Sequence, residues 1–167
     1  MIKTQLYKVV ILLGSNLGNR QEYMHVACNK IISEIGQLVQ SSSFYETKAW
    51  GVENQPDFLN QVLVCETTLL PHDVLKNCLS IEQELGRKRK EKWGSRIIDI
   101  DVLYYGNEII ATAVLKIPHP FLHERRFTLA PLCEVLPDFI HPVFNLSNKQ
   151  LLERCTDELE VALLNSR

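Results

Sequence analysis

No stretch of this chain is apolar for long enough to cross a bilayer. Its first residues, Met1 to Lys8, lack the apolar segment and small-residue cleavage site of a secretory leader, so a cytoplasmic location is expected. The five cysteines (Cys28, Cys65, Cys78, Cys133, Cys155) are odd in number and show no C-x-x-C spacing. Most sit among apolar neighbours, so buried reduced thiols are expected in place of a zinc site or a disulfide framework. Charge of one sign is also missing: 18 Lys and Arg face 20 Asp and Glu, a net charge of −2. No global field therefore draws the protein to nucleic acid or membrane. Neither G-x-x-x-x-G-K-S/T nor a post-strand G-x-G-x-x-G occurs, which disfavours P-loop and dinucleotide-fold mechanisms. No repeat, low-complexity tract or linker divides the 167 residues, so a single domain over 1–167 is expected.

What is present is concentrated between positions 87 and 101. Arg87, Lys88, Arg89, Lys90, Lys92 and Arg96 are six of the 18 cationic residues, and they lead into Ile97 to Tyr105, which reads as a strand. Side chains alternate along a strand, so Asp99 and Asp101 project from one face and Ile98, Ile100 and Val102 from the other. Two neighbouring carboxylates repel unless a cation sits between them. Oxygen-only ligands suit a hard divalent ion, above all Mg²⁺. Two solvated aspartates on an exposed strand is the simpler alternative, set against the depletion of Asp in strands.

Lys8 to Leu13 reads as a buried strand and Gly14 to Gly18 as a turn. With Asn19 as N-cap, Met24, Ala27, Ile31 and Ile35 recur at helical spacing until Gly36, expected as a left-handed stop. Leu38 to Tyr45 reads as a second strand, Glu46 to Pro56 as a loop, and Phe58 to Thr68 as a third strand. Pro71 opens a second helix with the stripe Leu75, Cys78, Glu82 and Leu85. Gly106 and Asn107 suggest a hairpin turn into Glu108 to Ala111. A third helix is expected over about Leu129 to Val135. The order strand, helix, strand, strand, helix, strand predicts an α+β, ferredoxin-like sandwich with a largely antiparallel sheet and helices packed on it.

Phosphoryl transfer is mostly positioning and charge neutralisation. Asp99 and Asp101 could hold a metal beside Arg87, Arg89, Lys90 and Arg96, and His119, His123, Arg125 and Arg126 form a second cationic group. Two such groups suit a triphosphate. Trp93, next to Gly94 and many charges, reads as a residue of a loop that closes over ligand. His119 could instead cap a turn, Phe58 and Phe127 could be core residues, and Glu82 could pair with the basic loop. The basic run with Trp93 also admits an RNA- or polyanion-binding module, whose phosphates the two aspartates would repel.

Five blocks in order carry a resemblance: Gly14-Ser-Asn-Leu-Gly18, Gln55-Pro-Asp-Phe-Leu-Asn60, Gly86-Arg-Lys-Arg89, Trp93-Gly-Ser-Arg-Ile-Ile-Asp-Ile-Asp101 and Pro118-His-Pro-Phe-Leu-His-Glu-Arg-Arg-Phe127. Over about Val9 to Leu136 the chain resembles the 6-hydroxymethyl-7,8-dihydropterin pyrophosphokinases of folate biosynthesis. The resemblance implies transfer of diphosphate from the co-substrate ATP to the pterin hydroxymethyl group, releasing AMP, with two Mg²⁺ ions. It implies metal binding by Asp99 and Asp101 and catalytic roles for Arg87 and Arg96. Arg89, Lys90, Trp93, His119 and Arg125 would lie on the ATP side, and Thr47, Phe58, Asn60 and Phe127 on the pterin side. A flat polar heterocycle needs stacking on its faces and hydrogen bonds at its rim, which an Asn with two aromatics offers. A monomer acting on small molecules, without nucleic acid or membrane, is expected.

Overall fold

The structure is a computed structural model and describes residues 4–48, 56–86 and 97–164. Strand β1 (Tyr7–Ser15) outruns the expected apolar run by Gly14 and Ser15, so the turn is confined to the residues just before Asn19, with Gly18 at φ 62. Helix α1 (Arg20–Glu34) starts as its cap predicts, the Asn19 side chain accepting a hydrogen bond from Glu22 N. Gly36 is not left-handed, since the positive-φ glycines of the described residues are Gly18, Gly86 and Gly106. It is required for another reason: a Cβ there would overlap the Glu66 carbonyl oxygen. The helix end can approach β4 only without a side chain.

The expected second strand is two, β2 (Gln37–Ser41) and β3 (Tyr45–Thr47). Between them Ser42 turns its hydroxyl inward, where Oγ accepts from Val62 N at 2.9 Å and donates to Ser43 O at 2.8 Å. A side chain thus replaces one rung of the backbone ladder and breaks the strand. Strand β4 (Phe58–Thr67) and helix α2 (Pro71–Glu84, with Pro71 in its first turn) follow as expected. The inward stripe of α2 differs from the predicted one. Val74, Cys78, Ile81 and Glu82 are buried, while Leu75 and Leu85 pack at the margin.

Strand β5 (Asp99–Tyr105) does not form a hairpin with the segment after it. The Gly106-Asn107 turn closes through Glu108 N to Tyr105 O (3.0 Å), but β6 (Ile110–Ala111) pairs with β7 (Lys116–Ile117). The Leu103 carbonyl of β5 is already engaged by His119 N at 3.0 Å. Beyond a short 3₁₀ turn (Leu122–Glu124), α3 (Arg126–Val135) begins three residues before its predicted start. Helix α4 (Asn148–Arg154), with a Ser147–Gln150 capping box, and strand β8 (Val161–Leu163) lie where no element was expected.

Among the described residues six strands form one sheet in the order β5-β1-β4-β3-β8, with β2 also on β4, and every pairing is antiparallel. This is the predicted ferredoxin-like arrangement with its second strand split. Both central strands are covered on both faces. Val9, Ile11, Leu13, Leu59, Leu63 and Cys65 pack under α1 and α2; Val10, Leu12, Val62 and Val64 pack under α3 and α4. Hence the unbroken apolar run of β1: a strand buried on both sides needs no polar alternation. A register shift against β1 places both Leu103 and Tyr104 on the α3 face, which tilts the end of β5 after its two aspartates.

Candidate active site

Residues opposite one another in an antiparallel sheet share a face. Gly14 pairs with Asn60 on β4 and with Asp99 on β5. One rung on, Leu12 pairs with Val62 and Asp101. Thr47 of β3 lies opposite Phe58, and Tyr45 opposite Asn60. The α3 face therefore carries Thr47, Phe58, Asn60, Asp99 and Asp101 together, while Ile98, Ile100 and Val102 enter the core under α2 as predicted. Asp99 and Asp101 are half-buried; Asn60 and Thr47 are buried. Phe127, in the first turn of α3, packs against the Val62–Leu129 side of the core and is half-buried like Phe58.

Arg125 stands immediately before α3 with its guanidinium carbon 5.1 Å from the Phe121 ring centroid and 5.6 Å from that of Phe127. The stacking orients the guanidinium. His119 is both a turn cap and a site residue. Its Nδ1 accepts from Phe121 N at 3.2 Å, which assigns the ring proton of the neutral form to Nε2. Burial, then the Arg125 charge, depresses its pKa to about 4, with Asp99 acting in the opposite sense. Near neutral pH His119 is an uncharged donor, within electrostatic reach of both Arg125 and Asp99.

The chemistry of the donor set fits Mg²⁺. Two carboxylates on alternate positions of an edge strand are hard oxygen ligands, and an octahedral ion held by two of them keeps positions for phosphate oxygens and water. Among the described residues no third His, Cys, Asp or Glu completes a closed metal cage. Gly14 adds a steric condition that the sequence reading missed. A Cβ there would stand 2.9 Å from Asn60 Oδ1 and 3.8 Å from Asp99 Cβ, so the floor between amide and carboxylate is bare backbone. The β1–α1 turn also grips the stems of β3 and β4. Asn16 Nδ2 donates to Pro56 O (3.2 Å), and Arg20 donates to Asp57 O (2.8 Å) and pairs with Glu46 (2.8 Å).

The second cationic group divides. Arg126 is turned away from Arg125: its Nε donates to Asp157 O (2.9 Å) and a terminal nitrogen to Cys155 O (3.2 Å). His123 packs at a tilt against Phe144 with centroids 4.6 Å apart and lies 3.6 Å from Glu124. Of the four, His119 feels the Asp99 charge, and Arg125 acts on His119. Arg87, Arg89, Lys90, Trp93 and Arg96, with the predicted loop around Trp50, lie outside the described residues. The five cysteines are unbridged, but the expected burial holds for only two: Cys65 and Cys78 are buried thiols pushed up to about 12 by desolvation, while Cys28, Cys133 and Cys155 are half-buried.

Comparison with known proteins gives this arrangement a family. Residues 10–137 match the family described as 7,8-dihydro-6-hydroxymethylpterin-pyrophosphokinase. A 2-amino-4-hydroxy-6-hydroxymethyldihydropteridine pyrophosphokinase of Aquifex aeolicus is 46% identical over 142 residues, covering 85% of this chain and 88% of its own. One of Haemophilus influenzae is 45% identical over 134 residues, 79% of this chain and 83% of its own. In fold, the chain superposes on a solved Plasmodium falciparum HPPK-DHPS with pteroate at a TM-score of 0.71 and 15% identity. That match covers 92% of this chain and 43% of the other, so the chain spans less than half of that longer protein. From the matched residues and these identities, the chain belongs to the 7,8-dihydro-6-hydroxymethylpterin-pyrophosphokinase family.

Proposed function

We propose that this protein, as a pyrophosphokinase of folate biosynthesis, joins its two substrates above Gly14. ATP gives its β,γ-diphosphate to the hydroxymethyl group of 6-hydroxymethyl-7,8-dihydropterin. The pterin hydroxyl oxygen forms a bond to the β-phosphorus while the bond from that phosphorus to the α,β-bridging oxygen breaks. AMP leaves with the bridging oxygen, and the hydroxyl proton passes to solvent.

The observation that carries this reading is the row Asn60, Gly14, Asp99. Two strand spacings separate its ends, about 10 Å, a span that fits a bicyclic ring reaching toward a phosphate. Asn60 hydrogen bonds the ring edge, Phe58 and Phe127 hold the ring faces, and Thr47 closes the side. Asp99 and Asp101 hold two Mg²⁺ ions, which when bound neutralise and orient the phosphate oxygens. Arg125 and neutral His119 donate to the ATP phosphates, joined by Arg89, Lys90 and Trp93. Arg87 and Arg96 stabilise the charge that develops on the transferred group. The protein acts in the cytoplasm as a monomer, on small molecules.

Incubation of the purified chain with ATP, Mg²⁺ and 6-hydroxymethyl-7,8-dihydropterin tests the reading. AMP and pterin diphosphate should form in equal amounts, and neither without Mg²⁺. ADP with a pterin monophosphate, or no pterin-dependent product, would show it wrong.

A further inference from the structure

Residues 155–164 carry no recognisable motif, yet they connect the two sides of the pterin pocket. At one end Asp157 serves the N-terminus of α3. Its Oδ2 accepts from Arg126 N at 3.0 Å, and its Oδ1 accepts from Leu159 N at 3.0 Å. Arg125, at the N-cap position of that helix, makes no capping bond with its own side chain, so the cap comes from 31 residues away. Arg126 returns the contact through Nε to Asp157 O and a terminal nitrogen to Cys155 O. At the other end β8 lies along β3, Thr47 opposite Val161 and Tyr45 opposite Leu163. Thr47 Oγ1 donates to Glu160 O at 3.0 Å, and Leu164 N donates to Phe44 O at 2.8 Å.

The hydroxyl proton of Thr47 is therefore committed to the C-terminal segment, and so is the first amide of the helix that carries Phe127. No comparable bond links this segment to β5 or to His119 among the described residues. We propose that Asp157 is a positioning residue for the pterin. It holds the Arg125–Phe127 end of α3 against the segment that also holds Thr47, and so sets the width of the pocket without touching the substrate. The inference rests on the assignment of Thr47 and Phe127 to the pterin side. An aromatic ring stacked on a heterocycle loses roughly a quarter to a half of its dispersion contact when displaced by about 0.5–1 Å, so a loosened strap weakens pterin binding first.

Steady-state kinetics on full-length variants, with each substrate varied in turn, tests this. Asp157→Ala is expected to raise the pterin KM about tenfold and, through Arg125 on the same helix end, the ATP KM by no more than about threefold, with kcat within about twofold. Asp157→Asn, which keeps one acceptor oxygen, should fall between the two. A pterin KM within about twofold of the parent would overturn the proposal. So would a fall in kcat with equal rises in both KM values, the mark of a merely structural residue. If Asp157→Ala does not fold, Arg126→Gln replaces it. That variant keeps the carboxylate cap but loses the guanidinium's two carbonyl contacts, and an unchanged pterin KM in it overturns the proposal equally. Phe127→Ala is the control: if it leaves the pterin KM unchanged, the assignment of the pocket has failed; if it alone raises that KM, only the role of Asp157 has failed.

Discussion

Asn60 and Asp99 occupy one row of the sheet with Gly14 the single residue between them. The register of three strands, set by the apolar residues packed along them, thus puts an amide and a carboxylate two strand spacings apart. A sheet is stiff on this scale because each strand is bonded to the next along its length and, here, packed on both faces. The distance from heterocycle to metal is built into the sheet.

Gly14 should consequently resist substitution without being conformationally special. Its φ is not positive, so alanine is compatible with the backbone, but the new methyl would stand 2.9 Å from Asn60 Oδ1. Gly14→Ala is expected to turn the Asn60 amide aside and raise the pterin KM about tenfold, with a melting temperature within a few degrees of the parent. Kinetics paired with thermal denaturation check this, and an unaltered pterin KM would contradict it.

Replacing either member of the acidic pair tests the metal assignment. Asp99→Ala and Asp101→Ala should each lower kcat by roughly a thousandfold or more, and the double variant should be little worse, because the two carboxylates act as a unit. AMP release measures the rate, and circular dichroism verifies the fold. Near-parental turnover in either single variant would place the metals elsewhere.

Gly36 offers the opposite case, a glycine required by the fold and remote from the chemistry. A Cβ there collides with backbone that cannot rotate away, the Glu66 carbonyl. Gly36→Ala is expected to destabilise the protein by about 1–3 kcal/mol or more, by analogy with overpacked cores. Urea denaturation should show it as a lower midpoint, while folded protein at low temperature keeps its KM values.

His141 sets an acid limit to stability. Its Nδ1 accepts from both Val143 N and Phe144 N at 3.2 Å, so a proton there would face two donors. Burial, with His123 nearby, depresses its pKa from 6.5 to about 4. An unfolded chain takes up this proton where the folded one does not, so the contribution is complete above about pH 6.5 and is lost as pH falls toward 4. Urea midpoints measured across that window should decline with falling pH. In His141→Asn, whose Oδ1 can accept the same amides, the decline should be shallower; an identical slope would mean other groups govern it.

The apolar runs of β1 and β4, the Asn19 cap, Pro71 and the Asp-Ile-Asp alternation were all legible in the chain, because each is a local rule about backbone preference or side-chain parity. The errors share a cause. By local rule Gly36 reads as a left-handed stop, because helix ends commonly need one, whereas in the fold a neighbouring strand's carbonyl excludes its side chain. The Gly106-Asn107 turn formed but its hairpin did not, because the outer edge of β5 is engaged by His119 N. Arg125 and Arg126 look equivalent in sequence, and only the tertiary fold sets one over the Phe121 ring and the other against the Asp157 and Cys155 carbonyls.

By itself the sequence determined which residues alternate, where helices begin and which side chains are chemically able to bind phosphate, metal and pterin, since those properties belong to a residue and its near neighbours. Tertiary structure alone decided that Gly14 lies between Asn60 and Asp99, and that Glu160 receives the Thr47 hydroxyl across 113 residues. Those relations depend on strand register and on the docking of a distant segment. They come from the packing of the whole core, which no local pattern encodes.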